Sequence, residues 1–176
     1  QPALVFQENG KRNNFNFPTQ IYQEYVIINE IIFIGGIMKK LKDKVLSEGR
    51  VLKGSILKVD SFLNHQVDVE LMKEVGEVFA EEFKDKNITK IVTIESSGIA
   101  PAAMTALAMG VPMVFARKKL SLTLSEGLIS AEVKSYTKGE VNTISISKDY
   151  ITENDNILLI DDFLAKGEVV RGLIEI

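Results

Sequence analysis

The sequence predicts an α/β domain in which helices flank a twisted parallel sheet. One run, residues 157–160, has four consecutive apolar residues and is typical of a strand that is buried on both faces, and a second, mainly apolar run at 90–94 is predicted as another strand. Each run is followed by a short loop that contains a glycine, and then by the apolar periodicity of a helix. Repeated strand, loop and helix units of this kind favour a parallel sheet.

Length and composition restrict the class of function. The chain has 176 residues, which suits one domain, and its 45% apolar and 26% charged residues are typical of a soluble globular protein. A net charge of −3 without a basic block argues against nucleic acid as a partner. The lack of cysteine excludes disulfides and thiolate metal sites, and a single histidine excludes a histidine-rich metal site.

Residues 1–37 differ in character from the rest of the chain. They begin with an asparagine-rich polar stretch, and the apolar run at 25–37 contains Asn29 and Glu30 and is too short for a membrane span. Met38 is followed by two lysines and resembles a natural start. We therefore expect residues 1–37 to be a non-native or disordered extension, with no membrane as partner, and residues 38–176 to form the domain.

The remaining elements are predicted in order along the chain. A short helix is expected at 39–49, and Asp68 suits the N-cap of a longer helix with one apolar face. Another helix is expected at 99–109, with Pro101 in its first turn, where a missing N–H is tolerated. Residues 111–116 follow as a third strand.

A long polar segment occupies residues 120–142. Leu122 and Leu124 alternate with polar residues, as do Ile144 and Ile146, which indicates two antiparallel edge strands that flank an excursion. Long insertions in a compact domain are usually functional. The chain stops inside its last helix, so we expect the domain to be truncated at the C-terminus.

The candidate site follows the run at 157–160. Asp161 and Asp162 come directly after this strand, at the edge where ligands bind in open α/β sheets. Ionised carboxylates accept hydrogen bonds from sugar hydroxyls, and the N–H groups of a loop before a helix attract phosphate. The pattern favours a sugar phosphate, although a solvated acidic turn would use the same residues.

Two further groups of residues, each directly after a strand, could hold a second phosphate. They are the small-residue loop Ser96, Ser97 and Gly98 and the basic cluster Arg117, Lys118 and Lys119. The loop offers N–H groups at a helix N-terminus, although a tight connection alone would also need small residues. The cluster offers cations, although exposed cations are commonly only solvated.

The acidic stretch resembles the phosphoribosyl-diphosphate (PRPP) motif of type I phosphoribosyltransferases, in which a small residue and a glycine follow an apolar strand and Asp-Asp. Residues 48–68, 95–100 and 158–165 extend the resemblance to the xanthine-specific group of that family. The resemblance implies a type I phosphoribosyltransferase fold. It also implies a small N-terminal hood over the purine, to which residues 48–68 belong, and a flexible lid at 120–140.

A reaction and its site are also implied by the resemblance. Xanthine and PRPP would give xanthosine 5′-monophosphate and diphosphate, with Mg²⁺, in a cytoplasmic homodimeric enzyme of purine salvage. The implied contacts are Leu57 and Asn64 for xanthine; Ala165, Lys166, Gly167, Glu168 and Val169 for the 5′-phosphate; the catalytic pair Asp161 and Asp162 for the ribose hydroxyls, directly or through Mg²⁺; Ser96, Ser97 and Gly98 for diphosphate; and Arg117, Lys118 and Lys119 as cations for diphosphate.

Some residues depart from this pattern, and alternatives remain. Lys166 and Val169 stand where many relatives have other residues, which questions the geometry of the loop but not the class. Adenine, guanine or hypoxanthine could replace xanthine, since only the hood residues separate these enzymes. A PRPP-sensing regulator would need a DNA-binding module, for which residues 1–37 are too short. His65 is interpreted as a surface or packing residue rather than a base.

Overall fold

The computed structural model describes residues 4–8, 11–15, 24–27, 39–52, 56–119, 126–134, 141–163 and 167–176. The strands are β1 (Leu4–Glu8), β2 (Lys11–Phe15), β3 (Glu24–Ile27), β4 (Arg50–Leu52), β5 (Ile56–Lys58), β6 (Lys90–Ile94), β7 (Met113–Ala116), β8 (Leu128–Lys134), β9 (Val141–Ser147) and β10 (Ile157–Asp161). The helices are α1 (Lys39–Glu48), α2 (Val69–Glu82), α3 (Ile99–Met109) and α4 (Glu168–Glu175).

Four parallel strands form the central sheet, in the order β3-β10-β6-β7. Every residue of β10 is buried, as expected for a parallel strand covered on both faces. Because β10 and β6 are parallel neighbours, the residues that follow them meet at the same edge of the sheet. The predicted α/β class with a parallel sheet flanked by helices is confirmed.

Apolar side chains pack against both faces of this sheet. The first core cluster joins one face to α2 and α3 and includes Leu41, Phe62, Met72, Phe79, Ile91, Leu158 and Ile160. The second core cluster joins the other face to β8, β9 and α4 and includes Val92, Ile94, Ile144, Ile146, Ile157, Leu159 and Leu173. Alternate residues of β10 therefore enter opposite clusters, as the pleat of a strand requires.

The two helices on the first face pack at close range. Helix α2 begins as predicted after Asp68, whose carboxylate accepts a hydrogen bond from the Leu71 N–H at 3.1 Å. A Cβ at Gly76 would lie 2.5 Å from the carbonyl carbon of Met104 in α3. A glycine at this point therefore allows α2 and α3 to approach each other closely.

The predicted strand that contains Ile144 and Ile146 is confirmed as β9, whereas its partner β8 begins at Leu128, after the stretch 122–124 where the first strand was expected and which lies outside the described residues. Strand β8 pairs with β9 along its whole length and buries Ala131 and Val133. Residues 128–134 are therefore part of a sheet, while residues 120–125 and 135–140 of the predicted lid lie outside the described residues. The signal for this strand was weak because its buried apolar positions are only Ala131 and Val133, and alanine is a small residue without a strand preference.

The N-terminal residues add strands that were not predicted. Strands β1 and β2 form an antiparallel hairpin, and β3 pairs in parallel with β10. The expectation that residues 1–37 are non-native or disordered stays a prediction. In the described part of the chain, no helix is long and apolar enough to cross a membrane.

Candidate active site

The acidic pair lies at the carboxyl end of the central strand. Asp161 is the last residue of β10 and is only 7% exposed. Its Oδ1 accepts a hydrogen bond from the Asp162 N–H at 2.9 Å, and Oδ1 of Asp162 accepts one from the Phe163 N–H at 2.9 Å. These two hydrogen bonds hold both carboxyl groups at the sheet edge, as the sequence predicted.

Burial makes Asp161 unusual among the described carboxyl groups. Loss of water and the charge of Asp162 raise the pKa of Asp161 to about 8, although the Asp162 N–H and the charge of Lys118 oppose this rise. Near neutral pH the pair therefore resists carrying two full negative charges. A cation or a set of hydrogen-bond donors at this edge would favour the doubly ionised pair.

The loop after β6 packs directly against this pair. The peptide bond between Glu95 and Ser96 is cis, Ser96 is exposed, and Gly98 is buried just before α3. A Cβ at Gly98 would lie 3.0 Å from Oδ1 of Asp161 and 2.3 Å from Oγ1 of Thr93. The structure thus brings the predicted loop and the predicted acidic pair into contact, and the contact depends on the missing side chain of Gly98.

Thr93 is a residue of this edge that sequence reasoning missed. It lies in β6, two positions before Glu95, and is fully buried. Its hydroxyl has no hydrogen-bond partner among the described residues. The available signal was a single hydroxyl residue inside the apolar run Lys90–Ile94, which alone does not distinguish a functional residue from a core residue.

The predicted basic cluster is attached to the same edge through main-chain bonds. The N–H of Lys118 donates to Oε1 of Glu95 at 2.7 Å, and the charge of Lys118 acts on Asp161. Arg117 exchanges main-chain hydrogen bonds of 2.9 and 3.0 Å with Ser145 in β9. The side chains of Lys118 and Lys119 are both exposed.

Helix α4 begins at Glu168, directly after Gly167. Gly167 has a φ of 74°, a left-handed conformation that favours glycine, and its carbonyl accepts the Arg171 N–H at 2.9 Å. Glu168 lies in the first turn and forms an ion pair of 3.6 Å with Arg171. Val169 is half-buried. Ala165 and Lys166, which the resemblance assigns to the 5′-phosphate, lie outside the described residues.

The two residues expected to contact the purine lie in the segment between α1 and α2. Leu57 is half-buried in β5 and packs against the first core cluster. Asn64 ends the helical turn Asp60–Asn64 with an exposed side chain, and His65 next to it is also exposed. No hydrogen bond between described residues joins Leu57 or Asn64 to the acidic pair, so their role stays a prediction.

Comparisons with a family model, with curated sequences and with solved structures all identify phosphoribosyltransferases as similar proteins. A sequence model of the phosphoribosyl transferase domain matches residues 64–176. The chain is 60% identical to the xanthine phosphoribosyltransferase of Oceanobacillus iheyensis over 139 residues, which are 79% of this chain and 72% of the relative. APRTase from Giardia lamblia complexed with 9-deazaadenine is a solved structure with 25% identity and a TM-score of 0.63, covering 77% of this chain and 74% of that chain. Adenine phosphoribosyltransferase from Rhodothermus marinus has 25% identity and a TM-score of 0.60, covering 78% and 76%.

Proposed function

The chain belongs to the phosphoribosyltransferase family, and on that premise we propose that it transfers the phosphoribosyl group of PRPP to xanthine. The products are xanthosine 5′-monophosphate and diphosphate, and the role is purine salvage. The observation that carries this proposal is the contact between Asp161 and Gly98, because it joins a carboxylate for the ribose to a loop for the diphosphate.

Each part of PRPP has a matching group at the sheet edge. Asp161 and Asp162 accept hydrogen bonds from the ribose hydroxyls. The N–H groups of the loop 96–98 and the ammonium group of Lys118 receive the diphosphate. The 5′-phosphate binds before α4, where the predicted cradle 165–169 leads into the positive end of the helix. Arg117 and Lys119 are further candidates for diphosphate contacts.

The reaction is a displacement at the anomeric carbon of the ribose. A purine nitrogen forms a bond to that carbon while the bond to the diphosphate oxygen breaks and its electron pair leaves with the diphosphate. The proton of the purine nitrogen is released to water. Positive charge develops on the sugar and is stabilised by the carboxylates, while the loop N–H groups and Lys118 stabilise the charge of the diphosphate. The protein therefore needs no nucleophile. The predicted lid at 120–140 would exclude water from the activated sugar.

The donor set fits Mg²⁺. Asp161 and Asp162 present hard carboxylate oxygens of the kind that this ion prefers, and a bound cation would lower the raised pKa of Asp161 and so favour its ionised form. The described residues contain no cluster of three or more acidic, histidine or cysteine ligands. PRPP oxygens and water would therefore complete the coordination. When bound, Mg²⁺ supplies positive charge to the departing diphosphate.

Xanthine is the purine that the relatives support best. The relative with 60% identity is a xanthine phosphoribosyltransferase. Leu57 offers an apolar wall for the ring, and the amide of Asn64 can both donate to and accept from a purine edge with oxo groups. Adenine is the second candidate, because solved structures with 25% identity are of adenine phosphoribosyltransferases.

An assay with four purines tests the proposal. The purified protein is incubated with PRPP, Mg²⁺ and either xanthine, adenine, guanine or hypoxanthine, and the nucleotide product is separated by chromatography. We expect xanthosine 5′-monophosphate as the main product, and none when PRPP is omitted. Formation of adenosine 5′-monophosphate without any xanthosine product would replace the first candidate by the second.

The expected homodimer also stays a proposal. Leu46 in α1 exposes 73% of its surface, and Val51 and Leu52 in β4 expose 77% and 48%. Apolar residues exposed together are common where a partner covers them. Sedimentation equilibrium would measure the mass in solution, and a monomer at all accessible concentrations would contradict the proposal.

A further inference from the structure

Thr93 has a buried hydroxyl whose donor capacity is unused in the described residues. The residue is 0% exposed, and no described group accepts its hydrogen bond. Buried hydroxyl groups nearly always have a partner, so an unpartnered one requires an explanation. The main-chain hydrogen bonds of β6 explain the position of the backbone, but they leave the choice of threonine over valine unexplained.

The unused hydroxyl lies beside an acceptor with capacity to spare. The Cβ position of Gly98 is 2.3 Å from Oγ1 of Thr93 and 3.0 Å from Oδ1 of Asp161, so both oxygens approach the same point. Asp161 is itself buried and accepts the N–H of Asp162 at 2.9 Å. Once a bound ligand favours the ionised form of Asp161, its carboxylate can accept several hydrogen bonds, so it can accept another donor from this side.

We propose that Thr93 is a positioning residue whose hydroxyl donates a hydrogen bond to the Asp161 carboxylate when PRPP occupies the site. The inference rests on the proposed function, and it adds a residue that does not touch the substrate. The bond orients Asp161 toward the ribose and keeps it aligned with the loop at Gly98. Hydrogen bonds of this kind are often long without substrate and shorten in the complex.

Two substitutions separate the hydroxyl from the shape of the side chain. Thr93→Val keeps the volume but removes the donor, while Thr93→Ser keeps the donor and removes a methyl group. We expect T93V to lower kcat/KM for PRPP roughly tenfold, as loss of a hydrogen bond to a charged group does, and T93S to restore most of it. KM for the purine should stay unchanged, because Thr93 acts on the Asp161 carboxylate, which binds the ribose and not the purine.

Thermal unfolding and calorimetry keep the outcome interpretable. T93V should melt no lower than the natural protein, since it removes an unpaired buried hydroxyl, and titration with PRPP and Mg²⁺ should show correspondingly weaker binding. If T93V does not fold, Thr93→Ala takes its place in both measurements. Wild-type kinetics and PRPP affinity in the valine variant, or an equal loss in T93S, would overturn the inference. A natural protein without transferase activity would instead overturn the proposed function.

Discussion

Two aspartates at opposite ends of the central strand β10 have opposite environments. Asp155 precedes the strand and accepts hydrogen bonds from Lys90 Nζ at 2.7 Å, from the Thr152 N–H at 2.8 Å, and from the Thr89 hydroxyl at 3.0 Å. These donors outweigh the effect of burial and lower its pKa to about 2. At the other end, burial and the charge of Asp162 raise the pKa of Asp161.

The difference distinguishes a carboxylate that stabilises the fold through partners within the protein from a carboxyl group whose partners can come from a ligand. At the amino edge, each described partner of Asp155 lowers its pKa, so its ionisation contributes to folding. At the carboxyl edge, Asp161 is buried beside another acid, and the hydroxyl of Thr93 has no hydrogen-bond partner in the described part of the chain. Buried polar groups that lack charge or hydrogen-bond partners destabilise the free protein, and they commonly occur at sites where a bound substrate supplies those partners. The amino edge is therefore expected to govern stability and the carboxyl edge to govern activity.

The largest expected effect is on activity, from Asp161→Asn. The amide keeps the shape but cannot carry the charge that stabilises the developing positive sugar, so kcat/KM should fall roughly 100- to 1000-fold. Initial rates at varied PRPP measure this loss. Because the folded pKa of Asp161 is raised, its ionisation costs stability as pH rises above 4, and D161N should melt higher than the natural protein at pH 8.

Asp155→Asn is the matched control for that experiment. The same chemical change at the other end of β10 should leave kcat/KM close to its natural value while lowering the melting temperature. A D161N variant that keeps more than about a tenth of the activity would remove the carboxylate from the mechanism.

The next effect is expected from Gly98→Ala. The new Cβ would overlap Oγ1 of Thr93 and press on Asp161, so we expect a loss of roughly 2 kcal/mol in stability and of more than tenfold in kcat/KM. Thermal melts and rates of G98A measure the two losses separately. The clash arises from the missing space alone, because the backbone φ of Gly98 is −69° and open to any residue.

A double variant shows whether the contact has the proposed cause. Adding Thr93→Ala to G98A removes the overlapping hydroxyl, so the melting temperature should recover in part while activity stays low. A double variant no more stable than G98A would mean that the clash lies elsewhere in the loop.

Elements with local signals could be predicted from the sequence, and the structure shows why. Strand Lys90–Ile94 and helix Ile99–Met109 have the predicted bounds, because an apolar run and a proline-to-glycine span mark them within a few residues. Strand β8 was missed because its existence depends on pairing with β9, and strand β3 because it pairs with β10 from far away in the chain. Neither dependence leaves a strong local pattern.

The candidate site shows the same limit. Asp161 and Asp162 could be placed at the sheet edge, since a strand end follows from the apolar run before it. The close approach of Gly98 to Asp161 could not be predicted from the sequence pattern, because it depends on how two adjacent strands and α3 pack. The role of Thr93 depends on the same packing.

At the amino edge, Asp155→Asn should lower the free energy of unfolding by roughly 2–3 kcal/mol. The Lys90 and Asp155 side chains are only 12% and 13% exposed, so the substitution leaves a mostly buried ammonium group without its carboxylate. Urea unfolding at pH 7 measures the change. Combining Lys90→Met with D155N also removes the buried cation, so the double variant should recover part of the stability that D155N alone loses. An additive double variant would show that the pair contributes little.

The smallest effect is the acid dependence that the same carboxylate contributes. Because the folded pKa of Asp155 is lowered from 3.8 to about 2, its stabilisation is fully present above pH 4 and is lost as pH falls toward 2. The shift corresponds to about 2 kcal/mol. Other carboxylates titrate in the same range, so the measured quantity is the difference in unfolding free energy between the natural protein and D155N at each pH. That difference should shrink between pH 4 and pH 2. Protonation removes the charge of Asp155 from the natural protein, and the substitution has already removed that charge from the variant. A difference that stays constant across this window would mean that Lys90 and the threonines do not hold the ionised form of Asp155.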